Sequence, residues 1–290
     1  MWILREIKVL HLEPTDVCQA ACALCAREID ANFQRDQHHH LDMYQIMQVI
    51  DVDAISRLHK MFMCGNYGDP AAGQYTLNIY RQFRRLNPDI VLGMNTNGAL
   101  RTESWWQELA NIMNQSQDYV VFSIDGLEDT NSVYRRNVDW HRLMRNIKSF
   151  VQAGGHAHWD MLVYRHNEHQ VDQCEALARQ LGFGWFRAKV SRRPLVPGLV
   201  APVNWGKPAI TSDQIDCHAL REHSMYIDAQ GRSSPCCWLG SRQQDFVTDF
   251  EQVQRSWATD QVNPVCASTC GRVGGATNFS NQWQKEIQLC

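Results

Sequence analysis

Ile7-Lys8-Val9-Leu10-His11-Leu12-Glu13-Pro14-Thr15-Asp16-Val17-Cys18-Gln19-Ala20-Ala21-Cys22-Ala23-Leu24-Cys25 holds the chain's first strand and its first cysteines. Ile7 to Leu12 reads as a β-strand, and a cysteine loop follows it directly. The spacing is Cys-x3-Cys-x2-Cys. Thiolates at such close spacings hold iron–sulfur clusters. Three of them on a four-iron cluster leave one iron open, as catalytic metal sites keep a position open. A zinc knuckle is the alternative use of the same residues.

Working outward, strand-like and helix-like segments alternate. Helix is expected over Leu41 to Ile55, Gln74 to Leu86, Glu103 to Met113, Trp140 to Ala153 and Glu168 to Leu181. Strands are expected over Met61 to Met63, Ile90 to Met94, Tyr119 to Ile124, His158 to Tyr164 and Trp185 to Val190. Gly154-Gly155 and Gly182 stop two of the helices, as glycine commonly does. Alternation of this kind implies an α/β fold with a parallel sheet and helices packed outside it. Six β/α units are too few for a closed eight-fold barrel, so an open, partial (β/α)6 barrel is expected over residues 1–192. Pro194, Pro197, Pro202 and Pro208 mark residues 193–212 as a linker. Residues 213–290 read as a small, cysteine-rich domain that needs a metal to hold it together.

The net charge of −3 gives no reason to expect nucleic acid, and no polybasic patch suits a membrane surface. The start lacks the apolar run of a signal peptide, and no stretch is long and apolar enough to span a bilayer. A cytoplasmic location is the expectation. Eleven cysteines, an odd number, argue against a disulfide framework and for metal or redox chemistry.

Further motifs fall at the expected C-terminal ends of strands, where a parallel barrel puts its chemistry. They are Gly65-Asn66-Tyr67-Gly68-Asp69-Pro70, Asn95-Thr96-Asn97-Gly98 and Ser123-Ile124-Asp125-Gly126. Together with the cysteine loop they resemble the radical S-adenosylmethionine (SAM) superfamily over essentially the whole chain. The resemblance implies that Cys18, Cys22 and Cys25 carry a 4Fe–4S cluster whose open iron chelates the amino and carboxylate groups of SAM. Reduction then splits SAM into methionine and a 5′-deoxyadenosyl radical, which abstracts hydrogen from a substrate.

By the same resemblance, Gly68 and Asp69, with Asn66 before them, stand where backbone and an acidic side chain receive the SAM ammonium. This chain departs from the family's Gly-Gly-Glu-Pro form in having Asp for Glu and an extra Gly-Asn. Asn97 stands near SAM. Ser123 and Arg135 match the serine and arginine that hold the SAM carboxylate, with Arg136 as the rival; an Arg fork suits a carboxylate. Val163 and Tyr164 end the fifth strand, where family backbone contacts the adenine.

Cys217, Gly231 and Cys236 match the opening Cys-x(9–15)-Gly-x4-Cys of the family's SPASM and Twitch extensions, and Cys266-x3-Cys270 follows. The segment lacks the central cysteine run of a full SPASM domain and so resembles the shorter Twitch version, with one auxiliary 4Fe–4S cluster. The expected ligands are Cys217, Cys236, Cys266 and Cys270. Cys237 rivals Cys236, Cys290 rivals one of the later pair, and a four-thiolate zinc site is the non-redox alternative.

Relatives with such extensions oxidise alcohols or thiols, or modify ribosomally made peptides. The expected reaction is therefore an oxidative modification of a small molecule or peptide, with electrons from a flavodoxin or ferredoxin. Asp125, Asp228 and His218 are candidate bases. Cys64, beside the SAM turn, is either a hydrogen-atom donor or a small buried residue. Cys174 reads as core and His38-His39-His40 as polar loop. Trp185, Trp205 and Trp238 are candidates to line a substrate pocket. An electron carrier or a zinc-stabilised binding module would need none of the SAM-like motifs.

Overall fold

The computed structural model describes residues 6–191, 195–206, 210–241, 248–258, 262–273 and 283–289. Cys290 lies outside them. Six parallel strands form the centre: β1 (Val9–Leu12), β2 (Lys60–Met63), β3 (Val91–Thr96), β4 (Tyr119–Ser123), β5 (Ala157–Val163) and β6 (Trp185–Val190), each paired with the next. Helices lie between them: α1 (Ala26–Ile29), α2 (Met43–Met47), α3 (Val52–Ser56), α4 (Thr76–Leu86), α5 (Glu103–Ile112), α6 (Glu128–Tyr134), α7 (Trp140–Gln152) and α8 (Val171–Leu181). The sheet does not close on itself, which makes it the expected open, partial barrel.

One expected helix is two. The side chain of Asp42 caps α2 in a reciprocal capping box with Gln45, and that of Asp51 caps α3 by accepting from Ala54 N. The second aspartate restarts the helix inside a run that reads as one amphipathic segment.

Pairing register divides the sheet's two faces. Phe122 pairs with Trp159 and Trp159 with Phe186, and all three are fully buried on the helix side. Trp159 donates its indole N–H to the carbonyl of Ile124. The opposite, inner face is half-open and carries His11, Phe62, Tyr119, His158 and Trp185. His11 stacks on Phe62 at 4.3 Å, and Tyr119 stacks on His158 at 5.3 Å. Lys60 Nζ sits 4.8 Å from the Tyr119 ring centre, a cation–π contact across two strands. This face is polar because it lines the barrel's interior rather than a packed layer.

The chain beyond β6 supplies β7 (Ile210–Ile215), α9 (His218–Glu222), β8 (Ser224–Ile227), β9 (Ser233–Ser234), α10 (Phe250–Ser256), α11 (Pro264–Cys270), β10 (Gly271–Val273) and β11 (Lys285–Gln288). Part of this region joins the barrel's sheet. β8 adds parallel to β1 and carries β9, while β11 adds antiparallel to β6, giving a nine-stranded sheet. β7 and β10 pair apart from it. The expected linker is also fastened down. Leu199 is buried, the carbonyl of Val200 accepts from Arg165 N, and Val203 N donates to Glu168. Among the described residues, no helix is long and apolar enough to cross a membrane.

Candidate active site

The cysteine loop is tied down from several sides. Ala21 N and Ala23 N donate to the carbonyls of Arg136 and Tyr134 at the end of α6. His39 donates its backbone N–H to Asp16 Oδ1, and its ring lies 2.6 Å from Asp16 Oδ2. Part of the triple-histidine stretch thus serves as a strut for the loop. Cys22 is buried, and Cys18 and Cys25 are half-buried. Burial pushes the Cys18 and Cys22 thiols up. Asp69 and the neighbouring cysteines raise Cys18 further, while Arg135 opposes the rise at Cys22.

Three thiols that repel one another as thiolates in a desolvated pocket call for added positive charge. An iron–sulfur centre supplies it, so the donor set fits the cluster that the spacing implies. Among the described residues, no group of three His, Cys, Asp or Glu side chains is placed to hold a single ion. A four-iron cluster spreads its thiolates wider than one ion does.

The loop after β2 lies directly on the cysteine loop. A Cβ at Gly68 would fall 1.8 Å from the Thr15 carbonyl oxygen, so only glycine permits this approach. Asp69 is buried and its four acceptor positions are filled. Oδ1 takes Ala71 N at 2.9 Å and Thr96 Oγ1 at 2.7 Å; Oδ2 takes Asn97 N at 2.7 Å and Asn97 Nδ2 at 2.6 Å. Asp69 therefore ties this loop to the end of β3 and offers no open oxygen to an ammonium group. Asn97, held there, directs its amide toward Cys18 Sγ at 3.7 Å.

Arg135 turns inward and pairs with buried Asp125 at 2.6 Å, while Arg136 is exposed. Burial works against its charge, but Asp125 and Cys22 hold its pKa above the ordinary arginine value. Asp125 also accepts from Leu162 N at 2.6 Å. Its place is to orient Arg135 rather than to stand as a free base. Ser123 pairs with Asp160 on the inner face, whereas the Val163 side chain is buried on the helix side, leaving only its backbone toward the interior. Asp228 is engaged in the β8–β9 turn, accepting from Gln230 N, Arg232 N and the Arg232 side chain. His218 lies on α9 beside Arg221. Cys174 is core, as expected.

The sequence reading passed over Glu13, five residues before Cys18. It is buried, with Oε1 accepting from Tyr67 N at 2.7 Å and Gly68 N at 3.0 Å, and Oε2 from the Tyr226 hydroxyl. Burial raises its pKa to about 7 against these hydrogen bonds. An acidic residue ending an apolar strand was the available signal. The folded state therefore favours the neutral acid. That contribution to stability is complete below about pH 4.5, the ordinary value, and is lost as pH rises through about 7. Urea midpoints are expected to fall between pH 5 and pH 8, and Glu13→Gln to flatten that fall. An unchanged slope in the variant would assign it to other groups.

The second cysteine group converges. Cys217 precedes α9 and hydrogen-bonds Cys270 at the end of α11, which, ahead of burial, raises its pKa. Burial pushes Cys236 up to about 12, and Cys270 and Cys266 add to the rise. Leu239, Val253, Leu220 and Trp257 pack around them. Burial and Cys236 raise the Cys237 thiol, Cys64 and Glu13 add to the rise, and its carbonyl accepts from Asn66 in the loop after β2.

The family model for the radical SAM superfamily matches residues 12–179. A curated relative, the tungsten-containing aldehyde ferredoxin oxidoreductase cofactor-modifying protein of Pyrococcus furiosus, is 27% identical over 127 residues, 44% of this chain and 33% of that protein. SuiB of Streptococcus suis, in a crystal structure bound to S-adenosylmethionine, matches 88% of this chain and 66% of its own at 15% identity and a TM-score of 0.58. The structure of anSMEcpe with bound AdoMet matches 80% of this chain and 72% of its own at 13% identity and a TM-score of 0.57. This chain thus spans a third of the curated relative and just under two thirds of SuiB. At such identities the two structures speak to the fold. With more than half of its length inside the family model, and with the three-cysteine loop after the first strand of an open parallel barrel, the chain belongs to the radical SAM superfamily.

Proposed function

We propose that this chain is a radical SAM enzyme that performs an oxidative modification of a small molecule or peptide. The reading is carried by the convergence of Cys18, Cys22 and Cys25 with Asn97 and Arg135 at the C-terminal ends of parallel strands. When bound, the 4Fe–4S cluster supplies the electron that splits SAM and yields the 5′-deoxyadenosyl radical. Cys18, Cys22 and Cys25 hold that cluster. Arg135, oriented by Asp125, meets the SAM carboxylate with Ser123. Asn97 and the loop from Asn66 to Asp69 shape the ammonium end, and the backbone at Val163 meets the adenine.

Cys217, Cys236, Cys266 and Cys270 hold an auxiliary 4Fe–4S cluster in a Twitch-like arrangement. Their small surrounding core supports a stabilising centre there. A flavodoxin or ferredoxin is the proposed electron donor. A peptide substrate gains support from the likeness to SuiB, one structure of which is bound to precursor peptide SuiA (TM-score 0.59, 15% identity, covering 89% of this chain and 65% of that one). A peptide crosslink or epimerisation is the specific form this would take.

The test is anaerobic reconstitution with iron and sulfide, followed by SAM and a strong reductant. About eight irons per chain and the release of 5′-deoxyadenosine, read by mass spectrometry, are expected. Zinc without iron in both sites, or iron-loaded protein that fails to bind SAM, would sink the reading.

A further inference from the structure

Three chain segments meet at Glu13: the end of β1, the loop after β2, and the C-terminal segment at β8. Tyr226 reaches this point from the inner face of β8, opposite His11, whose ring it meets edge-on at 5.0 Å. Its hydroxyl donates to one Glu13 oxygen, and the other takes the N–H groups of Tyr67 and Gly68. The neighbouring loop residue is held by the same segment, since Asn66 Nδ2 donates to the Cys237 carbonyl at 2.9 Å and lies 3.3 Å from the Tyr226 hydroxyl. The Tyr67 hydroxyl donates to the Ser241 carbonyl. Three successive loop residues are therefore seated by the C-terminal segment, directly or through Glu13.

Peptide planarity carries this into the site. A trans peptide whose N–H points at Glu13 points its C=O the other way. The Asn66–Tyr67 peptide does so, and the Asn66 carbonyl accepts from Cys25 Sγ at 3.8 Å. With the Asp69 carboxylate saturated, outward-turned carbonyls are the acceptors this loop offers an ammonium group. Their direction is set by Glu13, and Glu13 is held by Tyr226.

We infer that Tyr226 is a positioning residue for SAM, acting through Glu13, so that SAM binding depends on the C-terminal segment being seated against the barrel. The inference rests on the proposed reading of the Asn66 to Asp69 loop.

The test uses the full, iron-loaded chain and two readouts. In Tyr226→Phe, whose ring keeps its packing on His11, amide hydrogen exchange over residues 65–69 is expected to quicken. The Kd for SAM is expected to rise about fivefold, the worth of one ordinary hydrogen bond. Tyr226→Phe added to Glu13→Gln is expected to weaken SAM binding little more than Glu13→Gln alone, because Tyr226 acts through Glu13. Unchanged exchange, or faster exchange with unchanged SAM affinity, overturns the inference and leaves the enzyme reading standing. Wild-type protein that loads iron and binds no SAM overturns the enzyme reading, and this inference with it.

Discussion

Cys22→Ala is expected to leave the chain folded, to lower its iron from about eight to about four per chain, and to reduce 5′-deoxyadenosine to background. Cys22 is the buried member of the first three cysteines and the one beside Arg135. Alanine there removes a thiolate that the neighbouring residues cannot replace. Cys64 lies near Cys237, and Cys174 is on the buried face of α8. The folded state survives because the loop is held by His39, Arg136 and Tyr134 contacts that do not involve the thiol. Cys174→Ala is the matched control, expected to keep full iron. Full iron and continued SAM cleavage in Cys22→Ala would remove Cys22 from the ligand set.

Arg135→Met is expected to act on stability and on SAM together. Its partner Asp125 is fully buried and would be left as an uncompensated charge, a loss of about 3–5 kcal/mol. The melting midpoint should fall by about 10 °C. Asp125→Asn added to Arg135→Met removes the stranded charge and should recover most of that fall. SAM affinity should not return, because the guanidinium proposed to meet the carboxylate is still missing. Recovery of both would make Arg135 a structural residue only. Recovery of neither would place the damage elsewhere in the α6 region.

The barrel is readable in the sequence because its signals are local. Each strand is a short apolar run, each helix has a period, and Gly154 and Gly182 mark stops with positive φ. The same holds for the first cysteine loop, whose three cysteines lie within eight residues of one another. What escaped the reading depends on distant partners. Asp51 looks like any polar residue in an amphipathic run until its side chain is seen to restart the helix. The pairing of β8 with β1 leaves no trace in either segment, so the C-terminal segment reads as a separate unit. A lone glutamate after an apolar strand could equally be solvated, and Glu13 takes its meaning from Tyr226. Asp69 matches the expected motif position, yet its carboxylate is spent on Thr96 and Asn97, which spacing alone does not reveal.

The placement of β8 and β11 on opposite margins of the sheet has a bearing on biosynthesis. β1 emerges from the ribosome early, but the strand that covers its outer edge is made only after all six β/α units. Throughout that interval β1 carries a row of unsatisfied amide and carbonyl groups, and β6 in turn waits for β11, the last strand made. Long-range pairings of this kind form late and slowly. A nascent or nicked chain ending between β6 and β8 would hold nearly all of its core and still present two adhesive margins, making such fragments, rather than fully unfolded protein, the species most prone to self-association.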